Sequence, residues 1–283
     1  GEVKATENFN ATKITDVLYP NDNTMVGKIL RLRQQYFMVS ASLQDIVRKY
    51  KAAGKDLRAL PEKWCFQLND THPVIAIPEL LRILQTEGLS FEEAFGVCSA
   101  CFNFTNHTIM AEALEKWDAL AFSDLLPDVY EQIVACQQRL QGEGLDPNSF
   151  YIIRDNVVHM ANLAIYVAAH VNGVAEIHTN ILKTQTFKNW YERYPEKFVN
   201  ITNGITPRRW LLLNNPEMAR LIDSKIGTVW HTRLPELKKI KPYIDEILPE
   251  FVRIKHANKQ KLAAYIAEHE GVELSPDFIF DVQ

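Results

Sequence analysis

Gln67-Leu68-Asn69-Asp70-Thr71-His72-Pro73 is the stretch of sequence that decides the fold. The apolar run Trp64-Cys65-Phe66 leads into it, and Pro73 ends the strand because proline has no amide proton to donate to a ladder. A helix pattern follows at once, with Pro78 in its first turn. This order of strand, polar loop and helix predicts an α/β fold with a strand over residues 63–68 and functional groups beyond its carboxyl end.

Asp70 and His72 stand two residues apart in this loop. In one interpretation they contact a substrate, ligate a metal or transfer a proton, since binding residues favour loops. In the other, Asp70 caps the coming helix and His72 is an ordinary polar loop residue. The loop alone leaves both interpretations open.

Composition excludes several classes of partner. Of 283 residues, 47% are hydrophobic and 23% charged, which is ordinary for a globular protein of one or two domains. The net charge of -4 gives no electrostatic case for nucleic acid or an anionic membrane. No apolar run reaches the roughly 18 residues of a membrane helix, and the N-terminus does not resemble an export signal. With four cysteines interpreted as reduced thiols, we expect a cytoplasmic protein.

Helical periodicity organises most of the remaining chain. One helix is predicted from Lys28 to about Lys51, and Ser90-Phe91-Glu92-Glu93 is typical of a capping box. A further helix is predicted near Ala111, residues 115–150 are predicted as largely helical, and 156–180 as a buried helix followed by a strand or tight turn.

Three more polar loops have a composition like the first. They are Asn21-Asp22-Asn23, Thr105-Asn106-His107-Thr108 and Asn172-Gly173. Together the loops supply carboxylate, amide, imidazole and hydroxyl groups, which suit a polyol substrate because its hydroxyls need paired donors and acceptors. Converging loops would form a sugar pocket, whereas loops that only cap helices would never meet; the spacing leaves both open.

Two other classes of function fit the same residues. A metal-dependent hydrolase would use Asp70, His72, His107 and His178, although the spacing fixes no third ligand beside the Asp-x-His pair. A non-catalytic module would hold an oligosaccharide on the polar loops.

A series of sequence blocks closely resembles the signature blocks of the glycogen and starch α-glucan phosphorylases, in the order of that family. They are VLYPNDN, GKILRLRQQYF, QLNDTHPVIAIPELLR, TNHTIMAEALEKW, VHMANL, VNGVAEIH and TNGITPRRW. The resemblance covers nearly the whole chain and is loosest at residues 1–12 and 136–152. It implies a helix-rich α/β fold that is part of a GT-B architecture, with 1–171 the later part of the N-terminal domain and 172–283 the beginning of the C-terminal domain.

The resemblance also implies a reaction. The parent enzyme would be a glycosyltransferase that carries out phosphorolysis of α-1,4-glucan to glucose 1-phosphate, with phosphate as co-substrate and pyridoxal phosphate as cofactor. It would be a cytoplasmic, allosteric homodimer. In this family the acid and base are the phosphates of substrate and cofactor, which explains why the chain lacks a paired-carboxylate motif.

The resemblance assigns catalytic positions to Asp70, His72 and His107. Asp70 and His72 would line the site next to the anomeric carbon. His107 would contact the 6-hydroxyl of the sugar and, through its main-chain carbonyl, the developing positive charge. Such an oxocarbenium-like transition state calls for oriented dipoles rather than a metal.

Substrate contacts are implied for a second group of residues. Asp22 and Asn23 would lie in a mobile gate over the cleft, with Asn23 near the sugar. Thr108 would stand beside the catalytic histidine, and Asn172 would bind the same hydroxyl region. Arg31 matches a basic residue on the helix after the gate.

Two departures from the family bear on these expectations. Ala111 replaces a usual proline, which is expected to loosen the loop before it. The chain ends at Phe280-Asp281-Val282-Gln283, whereas the family continues with a phosphate-binding basic block and, later, the Schiff-base lysine. We therefore expect a fragment truncated at both ends that is inactive alone and does not hold pyridoxal phosphate. Its terminal β-like run, Phe278 to Val282, is expected to pair with another copy or fold back on a helix.

Overall fold

A computed structural model describes residues 11–280 of the chain. The chain divides into two units, Gly1–Asn203 and Gly204–Gln283, and each is described by itself. The boundary expected between residues 171 and 172 concerns the domains of a whole enzyme and stays a prediction.

Two sheets organise the first unit. Its strands are β1 (Phe66–Asn69), β2 (Phe102–Thr105), β3 (Lys116–Asp118), β4 (Ile153–Arg154), β5 (Val157–His159), β6 (His170–Gly173) and β7 (Phe198–Asn200). Strands β1, β2, β6 and β7 form a parallel sheet in that order, and β5 lies between β3 and β4 in an antiparallel sheet. The parallel sheet confirms the α/β class.

Helices connect these strands. In the first unit they are α1 (Met25–Ala52), α2 (Ala76–Thr86), α3 (Phe91–Cys101), α4 (Ala119–Leu125), α5 (Pro127–Gly142), α6 (Met160–Val167), α7 (Glu176–Ile181) and α8 (Lys188–Arg193), with short 3₁₀ turns at Leu57–Glu62, Ala111–Ala113 and Pro195–Lys197 and a π-helical turn at Leu182–Thr186. Residues 11–16 are also helical. Phe102, Phe104 and Val171 of the parallel strands are fully buried, as expected for a sheet covered on both faces.

The regular elements of the second unit are all helical within its described residues. It contains α9 (Pro216–Ile226), α10 (Ile244–Glu270), a π-helical turn at Arg208–Leu213 and 3₁₀ turns at Val229–His231 and Leu234–Tyr243. Its core centres on Trp230, which is fully buried and whose indole Nε1 donates to Asp223 Oδ1 at 2.8 Å. Helix α10 ends at Gly271, whose left-handed conformation glycine adopts at little cost.

Local sequence signals confirm several boundaries. Pro78 lies in the first turn of α2, and both hydrogen bonds of the predicted capping box join Ser90 and Glu93 at the start of α3. The buried helix and strand predicted within 156–180 are α6 and β6.

Replacing Ser90 with alanine is expected to lower the free energy of unfolding by about 1 kcal/mol, because the Glu93 amide loses its cap acceptor. Urea unfolding followed by circular dichroism measures this change. A Ser90→Thr variant keeps the hydroxyl and should lose much less; equal losses in both variants would contradict a capping role.

Two predicted elements are wrong. The helix predicted to begin near Ala111 is only a single 3₁₀ turn there, and 116–118 form β3 instead of a helix. Trp117, nearly buried, pairs with Val158 of the central strand β5, and this long-range pairing outweighs local helical preference.

The predicted terminal strand is also wrong as far as the described residues reach. Up to Phe280 the terminal run is irregular, and Ile279 is 95% exposed. The carbonyl of Phe278 accepts a hydrogen bond from Lys259 Nζ of α10 at 2.8 Å, and the same Nζ lies 5.9 Å from the centre of the Phe280 ring, so the described part of the run contacts a helix, as the second of the two expected alternatives states. Val282 lies outside the described residues, and association through this run stays a prediction.

Within residues 11–280, no helix has the length and apolar character needed to cross a membrane.

Candidate functional site

The polar loops converge at the carboxyl edge of the parallel sheet. Asp70 follows β1 and donates its amide to the carbonyl of Thr105 at 2.8 Å, and Asn106 after β2 donates its amide to the carbonyl of Asn172 at 3.0 Å. Since carboxyl ends of parallel strands meet at one edge, three of the predicted loops lie side by side.

Asp70 adopts a conformation that is rare for a residue other than glycine. Its φ is +63°, and its side chain accepts a hydrogen bond from the Thr71 amide at 2.6 Å. Helix α2 begins after Ile75, which makes no side-chain cap bond. The interpretation of Asp70 as a helix cap is therefore wrong. Strained conformations of this kind concentrate at functional sites.

A cavity of about 510 Å³ opens beside this loop. Its polar and charged lining consists of Asp22, Arg31, Asp70, Thr71, His72, Thr108, Glu112, Glu115 and Lys116. The cavity therefore brings together four residues predicted from three separate loops, namely Asp22, Asp70, His72 and Thr108. Both signs of charge and a hydroxyl face one space, so the cavity offers donors and acceptors for a polar ligand.

Three predicted residues, His107, Asn23 and Asn172, do not line this cavity. The His107 imidazole Nε2 is hydrogen-bonded to Asn69 Oδ1. Asn23 is exposed and donates its amide to the Asn21 side chain at 2.9 Å. Their predicted roles at the sugar stay predictions.

Asn172 is already engaged within the sheet edge. It is 9% exposed; its Oδ1 accepts from Thr105 Oγ1 at 2.7 Å, and its Nδ2 donates to the Gly173 carbonyl at 3.1 Å. Gln67 Nε2 donates to the same Thr105 hydroxyl at 2.7 Å. This chain of hydrogen bonds ties β1, β2 and β6 together immediately beneath their loops.

Arg31 links the loop of Asp22 to the opposite wall of the cavity. It forms ion pairs with Asp22 and with Glu115, the latter at 2.7 Å from Nη2 to Oε1. Gln35 Nε2 donates to the same Glu115 oxygen at 3.0 Å, and the guanidinium lies over the Trp117 ring at 5.1 Å. Because the Glu115 side chain is only 5% exposed, this pair is screened little by water.

Glu115 is the site residue that sequence reasoning missed. The signal was present in TNHTIMAEALEKW, where Glu112 and Glu115 follow the polar loop, but those positions were assigned to a helix. Glu115 Oε2 and Arg31 Nε are buried without a protein partner among the described residues. Such atoms normally bond to water or ligand, which marks this wall as hydrated or ligand-contacting.

The loop that holds Asp22 rests directly on the start of α1 at Gly27. A Cβ added to Gly27 would overlap the main-chain carbonyl of Asn21 and approach Asp22 Cα to 3.0 Å. Glycine is therefore required here by close backbone approach rather than by an unusual φ.

Replacing Gly27 with alanine is expected to displace the Asp22 loop and separate Asp22 from Arg31. A crystal structure of the variant, or loss of protection of the loop amides in hydrogen exchange, measures the displacement. Gly96→Ala in α3 is the matched control, since an added Cβ there meets no atom within 4 Å. An unmoved loop in Gly27→Ala would contradict this packing argument.

The site does not offer a metal-ligand set. Within residues 11–280, no three His, Cys, Asp or Glu side chains are grouped so that they could hold a metal ion. The hydrolase hypothesis built on Asp70, His72, His107 and His178 thus gains no support from the described geometry.

Cys98, Cys101 and Cys136 are buried free thiols, and burial raises the pKa of Cys136 to about 12.

Comparison with known proteins gives matches along nearly the entire chain. The sequence model of a family described as carbohydrate phosphorylase matches residues 2–283. Maltodextrin phosphorylase of Streptococcus pneumoniae is 42% identical, over 98% of this chain and 38% of that protein. Glycogen phosphorylase of Haemophilus influenzae is 42% identical, over 99% and 36% respectively. The muscle form of glycogen phosphorylase from Oryctolagus cuniculus is 41% identical, over 96% and 35%. The chain thus spans well under half the length of these relatives.

Proposed function

This chain belongs to the carbohydrate phosphorylase family, and on that premise we propose that it is part of an α-glucan phosphorylase. The proposed reaction cleaves a terminal α-1,4-glucosidic bond with phosphate: the bond from the anomeric carbon to the glucan oxygen breaks, one to a phosphate oxygen forms, and a proton of the phosphate passes to the glucan oxygen that leaves. Glucose 1-phosphate and a glucan shortened by one residue are released. The observation that supports this proposal is the cavity shared by Asp22, Asp70, His72 and Thr108.

Each of these residues has a proposed part in the reaction. The Asp70 carboxylate stabilises positive charge that develops on the sugar ring, because opposite charges interact strongly in a partly enclosed site. His72 and Thr108 hold sugar hydroxyls. Arg31, fixed by Glu115, holds Asp22 at the mouth of the cavity.

His107 and Asn172 are proposed to act from the rim rather than from the lining. The His107 main-chain carbonyl can supply a dipole to the sugar while its ring bonds to Asn69. Asn172, whose side chain is hydrogen-bonded to Thr105 and to the Gly173 carbonyl, would orient the amide groups that face the sugar. Asn23 contacts the substrate only if the gate loop closes over the cavity.

Lys197 does not fit the Schiff-base lysine of a pyridoxal phosphate site. Burial lowers the pKa of Lys197 to about 8, as such a site requires, but its ammonium donates to the carbonyls of Ile165 and Tyr166 at 3.1 and 2.6 Å. Lys197 is therefore committed to closing the end of α6. We propose that the cofactor of the whole enzyme is held by other parts of a homodimeric protein.

The proposal is tested by assay of the whole protein that contains this chain. It is expected to form glucose 1-phosphate from maltooligosaccharide and phosphate, whereas the 283-residue chain alone is expected to form none and to show no pyridoxal absorbance band. A whole protein that hydrolyses the glucan to free glucose, or a chelator-sensitive activity, would overturn it.

A binding role without catalysis is the second candidate for the chain alone, and the mixed polar lining of the cavity favours it. Calorimetric titration of the chain with maltotriose measures it. Saturable heat that disappears in Thr108→Val supports binding at this cavity, since Thr108 is proposed to hold a sugar hydroxyl; heat that persists unchanged in Thr108→Val would place binding elsewhere.

A further inference from the structure

A second cavity, of about 310 Å³, lies beside β3 and β5 in the first unit. Four of its lining residues are basic: Lys116, Arg154, His159 and Lys188. Among the described residues that line it there is no Asp or Glu. We call it the basic cavity. It shares Leu114 and Lys116 with the candidate site, and its other lining residues are separate.

One wall of the basic cavity is an ordered stack of side chains. Lys116 and His159 are direct partners across β3 and β5, so their side chains share a face. The Tyr151 ring meets the His159 ring edge-on at 4.9 Å, and the Arg154 guanidinium lies 3.8 Å over the centre of the Tyr151 ring. Arg154 also donates from Nη1 to the Asn148 carbonyl at 3.1 Å, which fixes the guanidinium.

The electrostatic environment of this wall is positive. Burial, with the nearby charges of Lys116 and Arg154, lowers the pKa of His159 to about 4, so its imidazole is neutral at neutral pH. Two carboxylates stand nearby: Asp155 at 3.6 Å from Arg154 and Glu192 at 3.7 Å from Lys188. Both are largely exposed, and exposed ion pairs contribute little because water screens them.

These features favour an anion over a neutral sugar as the ligand of the basic cavity. A sugar hydroxyl both donates and accepts, and sugar sites supply carboxylates as acceptors, which this lining lacks. The anionic oxygens of phosphate only accept hydrogen bonds, and the planar guanidinium of arginine can donate to two of them at once. A volume near the lower end of small-molecule sites leaves room for one ring beside the phosphate.

We propose that the basic cavity binds a small phosphorylated ligand, with its phosphate between Arg154, Lys116 and Lys188 and its organic part against Tyr151 and Trp190. Amides of Gln185 and Asn189, which also line the cavity, add polar contacts at the opposite wall. The site goes beyond the proposed phosphorolysis, which does not require it.

The test uses the 283-residue chain with isotope-labelled histidine, titrated with inorganic phosphate and with phenyl phosphate against chloride at equal ionic strength. Either phosphate is expected to shift the His159 imidazole resonances and raise its pKa from about 4, because a bound dianion offsets Lys116 and Arg154. Tighter binding of phenyl phosphate than of inorganic phosphate would support a phosphate ester as the ligand, whereas equal binding would contradict the proposed contact with an organic part.

Substitutions of the basic lining residues test whether phosphate binds in the basic cavity. Arg154→Gln and Lys188→Gln are each expected to weaken phosphate binding roughly 10-fold or more, since a hydrogen bond to a charged group is lost. Lys55→Gln, an exposed residue outside the cavity, removes the same charge and should leave the affinity unchanged. Arg154 and Lys188 are partly exposed, so both variants should fold.

Two outcomes would overturn the inference. If phosphate perturbs His72 but not His159, it binds only at the candidate site, and the proposed phosphorolysis stands while the basic cavity fails. If maltotriose shifts His159 and neither phosphate does, the ligand class is wrong.

Discussion

Replacing Arg82 with methionine is expected to lower the free energy of unfolding by about 3–5 kcal/mol, because it leaves a charged carboxylate buried without its partner. Glu79, in the first turn of α2, is fully buried. Its carboxylate accepts from both Nε and Nη2 of Arg82 at 2.8 Å and from Ser40 Oγ at 2.6 Å. The same two-pronged hydrogen bonding raises the pKa of Arg82.

The expected loss of stability in Arg82→Met arises because the Glu79 carboxylate stays removed from water without a partner, rather than because its attraction to Arg82 is lost. A double variant, Glu79→Leu with Arg82→Met, removes both charges and is expected to regain most of the lost stability. Urea unfolding measures the free energy of unfolding of the unaltered protein, of Arg82→Met and of the double variant. Arg48→Met is the matched control, since the Arg48–Asp45 pair at 2.6 Å is exposed and should change stability little. A double variant as unstable as Arg82→Met would show that packing of the arginine stem, and not the buried charge, carries the effect.

Elements specified by local chemistry were predicted well from the sequence. Pro78 and the Ser90–Glu93 box determine where α2 and α3 begin, because their hydrogen bonds and backbone restrictions lie within one turn. Strand β3 was missed because Trp117 is held by Val158, which is distant in sequence. Three residues carry too little periodicity to reveal such a strand.

The residues of the candidate site also divide into those that could be predicted from the sequence and those that could not. Parallel pairing places the loops after β1 and β2 at one edge, so the convergence of Asp70, His72 and Thr108 follows from the strand–loop–helix order. The contribution of Glu115 does not follow, because its partner Arg31 is 84 residues away. Asn172 stands opposite Thr105 in the sheet register and bonds to it, which a list of polar loops does not reveal.

In the whole protein that contains this chain, Asp70→Asn is expected to reduce kcat/KM for the proposed phosphorolysis roughly 10²–10³-fold, the typical cost of removing one preorganised electrostatic contact to the transition state. The variant removes only the charge. Asparagine tolerates a positive φ, and its amide oxygen can still accept from the Thr71 amide as Asp70 Oδ1 does. Initial rates of glucose 1-phosphate formation measure the loss, with thermal unfolding as the check on folding.

Two further variants separate charge from backbone conformation. Asp70→Gly keeps the positive φ without a side chain and should be as inactive as Asp70→Asn, whereas Asp70→Ala should also lose stability because alanine is strained at φ +63°. Asp124→Asn on the exposed face of α4 makes the same charge change away from the cavity and should leave the rate unchanged. Full activity in Asp70→Asn with loss in Asp70→Ala would assign the residue to holding the loop, and stabilisation of the sugar cation would then have to come from the main-chain carbonyls after β2.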